Sequence, residues 1–116
     1  MNTKQIGDYG EELALTYLME RGWILRGRNV RFGHKELDLV MQDGETIVFV
    51  EVKARSSDGY GTPAEFVNIR KQRNLIQAAQ AYLIYEHLTH AFARFDVVEV
   101  YLPERRVVHI QGAFST

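Results

Sequence analysis

The stretch Thr46-Ile47-Val48-Phe49-Val50-Glu51-Val52-Lys53-Ala54 decides the fold. It is the strongest strand signal in the chain, because β-branched and aromatic residues run unbroken through its first half. Side chains alternate faces along a strand. Ile47, Phe49, Glu51 and Lys53 therefore share one face, and Val48, Val50 and Val52 the other. Apolar residues on both faces predict a strand buried on both sides. The odd-numbered face turns charged at one end, at Glu51 and Lys53. A charged end on a buried strand is a place to look for chemistry.

Working outward, Glu36 to Gln42 suits a preceding strand, and Asp43-Gly44 is a tight-turn signal. On strict alternation Glu36, Asp38 and Val40 share a face, opposite Leu37, Leu39 and Met41. A two-residue turn at Gly44-Glu45 sets Asp38 directly across from Glu51. A turn at Asp43-Gly44 slips the pairing but keeps both carboxylates on one face, and a three-residue loop separates them. Further upstream, Trp23 to Leu25 and Asn29 to Phe32 read as one strand with an irregularity at Gly27. Thr3 to Arg21 reads as an amphipathic helix capped by Thr3, with Ile6, Leu13, Ala14, Tyr17 and Leu18 at helical spacing.

Downstream, Arg55 to Gly61 predicts a mobile loop, and Thr62-Pro63-Ala64-Glu65 resembles a capping box opening a short helical turn. Asn68 caps a longer helix running to about Glu86, with Leu75, Ala78, Ala79, Tyr82 and Leu83 inward. Arg94 to Leu102 and Arg105 to Ile110 form two more strands around a turn at Pro103-Glu104. The expected architecture is α/β, in the order αβββαββ, as a single domain over residues 1–116.

Composition bounds the function classes. With 116 residues, 46% of them hydrophobic, there is material for one ordinary core. No Cys is present, which excludes disulfides and thiolate metal sites and fits a reducing compartment. No run approaches the ~20 apolar residues of a membrane span, so the expectation is a cytoplasmic protein without a membrane partner. A net charge of −1 argues against coating nucleic acid by bulk charge. Basic residues are clustered instead: Arg21, Arg26, Arg28, Arg31, His34 and Lys35 in one stretch, Arg70, Lys71 and Arg73 in another. The two are expected to flank one concave surface.

Cross-strand neighbours lie roughly 4.5–5.5 Å apart at Cβ. Two carboxylates that close repel unless a cation intervenes. Asp38 and Glu51 thus predict a hard divalent ion, Mg²⁺ or Mn²⁺, and Mg²⁺ commonly takes one or two carboxylates plus substrate phosphate. The Val52 carbonyl offers a further oxygen. Lys53, about 7 Å along the strand from Glu51, suits a group that orients an attacking water and offsets charge on a scissile phosphate. Glu11 lies at the edge of the first helix's apolar stripe, whereas Glu12 points about 100° further round; Glu11 is the better candidate to assist. Gly7 and Gly10 would let that helix approach a neighbour closely. Asp96 is expected to pair with Arg94, and the four His residues form no metal-ligand pattern.

Asp38, twelve intervening residues, then Glu51-Val52-Lys53, preceded by a Glu-bearing helix, resembles the PD-(D/E)XK nuclease core of restriction endonucleases and archaeal Holliday-junction resolvases. Along nearly its full length the chain also resembles the YraN-like family of bacterial proteins. That likeness rests on Gly7, Glu11 and Ala14, on Glu36-Leu37-Asp38-Leu39, on Val48 to Lys53, on Lys71-Gln72 and on Arg94-Phe95-Asp96-Val97-Val98. Leu37 stands where the superfamily has Pro, and Lys35 where the family usually has Gly. The resemblance implies a restriction-endonuclease-like core, a mixed five-stranded sheet flanked by helices. It also implies metal-dependent hydrolysis of DNA phosphodiester bonds, with branched or structured DNA as a candidate substrate.

Candidate nucleic-acid contacts are Arg31, Lys35, Arg55, Tyr60 in its Gly-flanked loop, and Lys71 and Gln72 in the first turn of the long helix. Two functional readings follow: a Mg²⁺-dependent nuclease using Asp38, Glu51, Lys53 and Glu11, and a non-catalytic nucleic-acid-binding or assembly module that keeps the fold. The intact Asp38, Glu51 and Lys53 set favours the first, and the small size and near-neutral charge favour the second, or a homodimer or protein partner that completes the binding surface.

Overall fold

The computed structural model describes residues 1–56 and 67–115. The order is α1 (Thr3–Glu20), β1 (Ile24–Phe32), β2 (Lys35–Asp43), β3 (Thr46–Ser56), α2 (Ile69–Tyr85), β4 (Phe92–Leu102) and β5 (Arg106–Phe114). The five strands form one mixed sheet in sequential order. Three pairings are antiparallel, and β3 and β4 run parallel, joined by the crossover that contains α2. This is the αβββαββ arrangement expected from the sequence.

Two apolar layers hold the sheet between the helices. On the α1 side, Ala14 and Leu18 pack with Trp23, Leu39, Met41, Val48, Val50, Val98 and Val100. On the α2 side, Leu75, Ala78, Ala79 and Tyr82 pack with Val40, Ile47, Phe49, Phe95 and Val97. β3 supplies alternate residues to both layers, as its two-sided apolar pattern requires. Fully burying each Val or Leu contributes about 1.5–3 kcal/mol, so β3 and β4 anchor the sheet.

Local chemistry sets the helix ends. Asn2, not Thr3, is the N-cap of α1: its side chain accepts the Gln5 N–H at 2.8 Å, and the Gln5 side chain accepts the Asn2 N–H at 2.9 Å. Asn68 caps α2 by accepting the Lys71 N–H at 2.8 Å. A Cβ on Gly10 would come within 2.9 Å of the Ala54 Cβ. The glycine therefore lets α1 lie directly on β3, whereas a Cβ on Gly7 would meet nothing within 4 Å. β1 is bulged between Leu25 and Gly27, where the sequence marks an irregularity. Tyr60 and the Thr62-Pro63-Ala64-Glu65 capping signal lie outside the described residues. No helix among the described residues is long and apolar enough to cross a membrane.

Candidate active site

The β2–β3 hairpin turns at Gly44-Glu45. Asp43 pairs with Thr46, and the ladder runs to Leu39 opposite Val50. One more step in that register sets Asp38 across from Glu51. Of the three turn geometries open from the sequence, the structure has the two-residue turn, with the ladder stopping one residue short of the two acids, whose charges act on each other.

The sheet opens at Asp38. The β2–β3 ladder ends one residue before it, and the β1–β2 register passes from Arg28–Leu39 to Val30–Leu37 without pairing Asn29 to Asp38. Asn29 has φ 52°, the left-handed region that Asn tolerates better than most residues. Alternation breaks at the same point. Leu39 and Met41 pack on the α1 side, but Leu37 joins Val40 on the α2 side. The expectation that Leu37, Leu39 and Met41 share a face is thus corrected. The irregular backbone around Asn29 and Asp38 lets both leucines be buried, each against a different helix. Freed from the ladder, Asp38 Oδ2 accepts the Val52 N–H at 2.9 Å, which fixes the Val52 peptide beside the two acids.

Glu51 is buried, at 6% exposure. Among the described residues its Oε2 has no hydrogen-bond partner, and Oε1 lies 3.6 Å from Lys71 Nζ at the start of α2. Burial, and then the Asp38 charge, push the Glu51 carboxyl up to about 7. Burial raises Asp38 as well, against the opposing effect of the Val52 N–H. Glu11, rooted on α1 next to Gly10, is raised by burial and by the same Asp38 charge. Glu51 and Glu11 thus each feel the Asp38 charge, and like charges held close favour protonation or a cation. Lys53 is half-buried on β3, its charge acts on Glu51, and it makes no ion pair or hydrogen bond among the described residues.

Asn29 and Arg28 tie this cluster together. With its nitrogen toward the acids, the Asn29 amide donates to Glu11 Oε1 at 3.2 Å and to Glu36 Oε1 at 3.0 Å. Arg28 Nε lies 3.6 Å from Glu11 Oε1, and its other end bonds Glu12. A sequence pass over β1 misses Asn29. The available signal was an Asn inside a strand, where the residue is disfavoured unless the backbone departs from the pleat.

Among the described residues no three His, Asp or Glu side chains converge as a ready-made metal cage. What converges is the Asp38–Glu51 pair, with one buried carboxylate oxygen left without a partner. All the donors are oxygens, and burial makes two bare negative charges costly. That set fits a hard divalent cation that takes its remaining ligands from water or substrate.

The predicted phosphate-binding residues are less free than the sequence suggests. Arg31 pairs with Glu36 at 3.0 Å, Arg55 with Glu99 at 3.4 Å, and Lys35 bonds Gln77. The Gln72 side chain donates to the Val67 carbonyl at 2.7 Å, which ties it to the entry of α2. The expected common basic rim is also corrected. Arg26 reaches Tyr82 and Glu86 at the far end of α2, Arg28 turns to α1, and Arg21 lies over the Tyr17 and Trp23 rings. Of the basic residues predicted to bind phosphate, Lys71 approaches the carboxylate pair. Asp96 does pair with Arg94, at 3.0 Å, and also meets His109 Nε2 at 2.8 Å and accepts the Gly112 N–H at 3.0 Å.

A five-stranded mixed sheet between two helices, with facing acids where the central hairpin opens, defines a small α/β protein with a candidate cation site. The chain belongs to the Uncharacterised protein family UPF0102, whose model matches residues 10–100; the YraN-like resemblance is borne out. It is 41% identical to a UPF0102 protein of Clostridioides difficile over 98% of this chain and 100% of that one. A UPF0102 protein of Chlorobium chlorochromatii is 42% identical over 97% and 93%. One from Geobacter metallireducens is 40% identical over 99% and 96%.

Proposed function

We propose that this protein is a cytoplasmic Mg²⁺- or Mn²⁺-dependent nuclease of the PD-(D/E)XK type that hydrolyses DNA phosphodiester bonds. The observation that carries the reading is the Asp38–Glu51 pair, half-buried at Asp38 and buried at Glu51, whose Glu51 Oε2 has no partner among the described residues, beside a Lys53 without an ion pair there. A structural ion-pair cluster would satisfy its buried oxygens; a cation site leaves one for the ligand.

Asp38 and Glu51 would hold the cation, with the Val52 peptide fixed alongside. When bound, the ion supplies Lewis-acid stabilisation of charge on the phosphoryl oxygens. Lys53 is held on the strand next to the pair. Its ammonium can donate to an attacking water and offset negative charge that grows on the phosphate as water adds and the ester oxygen leaves. Glu11, fixed by Asn29 and Arg28, adds a third carboxyl at the α1 edge of the site.

One observation favours the alternative, a nucleic-acid-binding module without catalysis: Arg28, Arg31 and Arg55 are already paired with carboxylates. Their engagement leaves a thin phosphate rim and calls for a second copy or a partner to complete it. Purified protein with Mg²⁺ or Mn²⁺, tested on linear, single-stranded, flapped and four-way DNA, decides between the two. Cleavage that vanishes in Asp38→Ala with Glu51→Ala supports the nuclease. Binding without cleavage on every substrate supports the module, and cleavage that survives the double substitution refutes the site.

A further inference from the structure

The proposed function leaves one cation in the site without a role. Lys71 stands in the first turn of α2, its own N–H tied to the Asn68 cap. The backbone there is fixed, while the side chain reaches back with its Nζ 3.6 Å from Glu51 Oε1. That separation is longer than a charge-assisted hydrogen bond. The Lys71 side chain is 45% exposed and its partner 7% exposed. The ammonium is therefore loosely held at the solvent side of a buried acid, on a long flexible stem.

Lys53 differs in kind. It is rooted on β3, on the Glu51 face, and makes no ion pair among the described residues. Lys71 comes from another element, α2, and stands partly exposed beside the buried Glu51. An ammonium 3.6 Å from Glu51 Oε1 and a divalent ion held by Asp38 and the free Glu51 Oε2 would sit on one carboxylate and repel each other.

We infer that Lys71 is a displaceable cation that neutralises the carboxylate pair until a divalent ion enters, and then swings outward to bind a nucleic-acid phosphate. The inference rests on the reading of Asp38 and Glu51 as a cation site and adds its regulation. Two consequences have opposite sign. Lys71 weakens binding of the ion taken alone, because it must be displaced. It also strengthens nucleic-acid binding once the ion is in, because the displaced charge faces phosphate. Metal and nucleic acid are then positively coupled through one side chain, and the coupling is reciprocal.

The test compares wild type, Lys71→Met and Lys71→Arg. Mn²⁺ affinity is measured by calorimetry without nucleic acid, and binding of a short DNA duplex by anisotropy in Ca²⁺ and in EDTA. Lys71→Met is expected to bind Mn²⁺ about tenfold more tightly. It should also bind the duplex more weakly in Ca²⁺ and lose most of the gain that Ca²⁺ gives wild type. Lys71→Arg keeps the charge and is expected to stay near wild type in both. A merely structural lysine would move both affinities the same way, together with the melting temperature. If wild type binds Mn²⁺ and Lys71→Met binds it equally or more weakly, the displacement is wrong and the cation site stands. If neither wild type nor Lys71→Met binds Mn²⁺, the cation site itself is wrong and this inference falls with it.

Discussion

Replacing Glu51 with Gln is expected to make the metal-free protein more stable at neutral and alkaline pH. Glu51 is 6% exposed, one of its oxygens has no partner among the described residues, and burial and the Asp38 charge push it up to about 7. A carboxyl raised in the native state keeps its proton where the unfolded chain has already released it. Stability therefore falls as pH rises from the ordinary value near 4.5 to about 7, and stays at the lower level above that. At about 1.36 kcal/mol for each pK step, the full displacement corresponds to roughly 3 kcal/mol. Sharing of the charge with Asp38 and Lys71 makes ~1–3 kcal/mol the working figure. Gln keeps the shape, removes the charge, and offers Asp38 an N–H. Thermal unfolding in EDTA should show Glu51→Gln several degrees above wild type at pH 8, with the gap closing toward pH 4.5. Added Mn²⁺ should then raise wild type more than the variant, because binding to the native state alone stabilises by mass action. A Glu51→Gln protein that melts below wild type at pH 8 in EDTA would refute the reasoning and make Glu51 a stabilising partner of Lys71.

Lys53→Ala should leave the melting temperature and Mn²⁺ affinity near wild type and lower the rate of DNA cleavage by on the order of 10²–10³; a variant that cuts as fast as wild type removes Lys53 from the catalytic group. Gly10→Val puts a branched side chain where even a Cβ meets Ala54 at 2.9 Å, and urea unfolding should report a loss of about 1–3 kcal/mol, with no loss meaning that α1 shifts freely. Asp96 lies below the usual carboxylate range, because hydrogen bonds from His109, Arg94 and the Gly112 N–H outweigh the burial that works to raise it. Its stabilisation is present above the unfolded pKa near ~3.9 and is lost as pH falls through the lower native value. Asp96→Ala should cost on the order of 3 kcal/mol at pH 7 and flatten the acid-unfolding curve below pH 4, and a variant as stable as wild type at pH 7 would show the network to be dispensable.

The sequence made β3 legible because its apolar residues occupy both faces, and only a central strand between two helices buries both. The helices were legible from periodicity and caps, although Asn2 takes the cap that Thr3 seemed placed to hold: its amide pairs reciprocally with Gln5. The facing of Asp38 and Glu51 hung on one turn, which periodicity left open between registers and which closes at Gly44-Glu45.

What periodicity could not give was the break at Asp38. A period of two assigns Leu37 and Leu39 to one face, yet one is buried against α2 and the other against α1. The cause lies partly on another strand, where Asn29 takes a left-handed conformation and leaves its place in the ladder. The same break turns the Asp38 carboxylate toward the Val52 N–H instead of leaving it flat on a paired strand, and it lets Asn29 gather Glu11 and Glu36. The basic residues failed for a related reason. Charge clustering in sequence says nothing about which arginines already face an acid, and β1 sends Arg26 to α2, Arg28 to α1 and Arg31 to Glu36 on β2. Local pattern thus encodes the sheet, while the site arises where that pattern is interrupted. A testable corollary is that Asn29→Gly, which keeps access to positive φ but removes the amide, should fold with a melting temperature close to wild type and weaken Mn²⁺ binding. Asn29→Val, which favours the regular pleat, should disturb both. If Asn29→Gly bound Mn²⁺ as tightly as wild type, the backbone break alone would build the site, and the Asn29 amide would have no part in it.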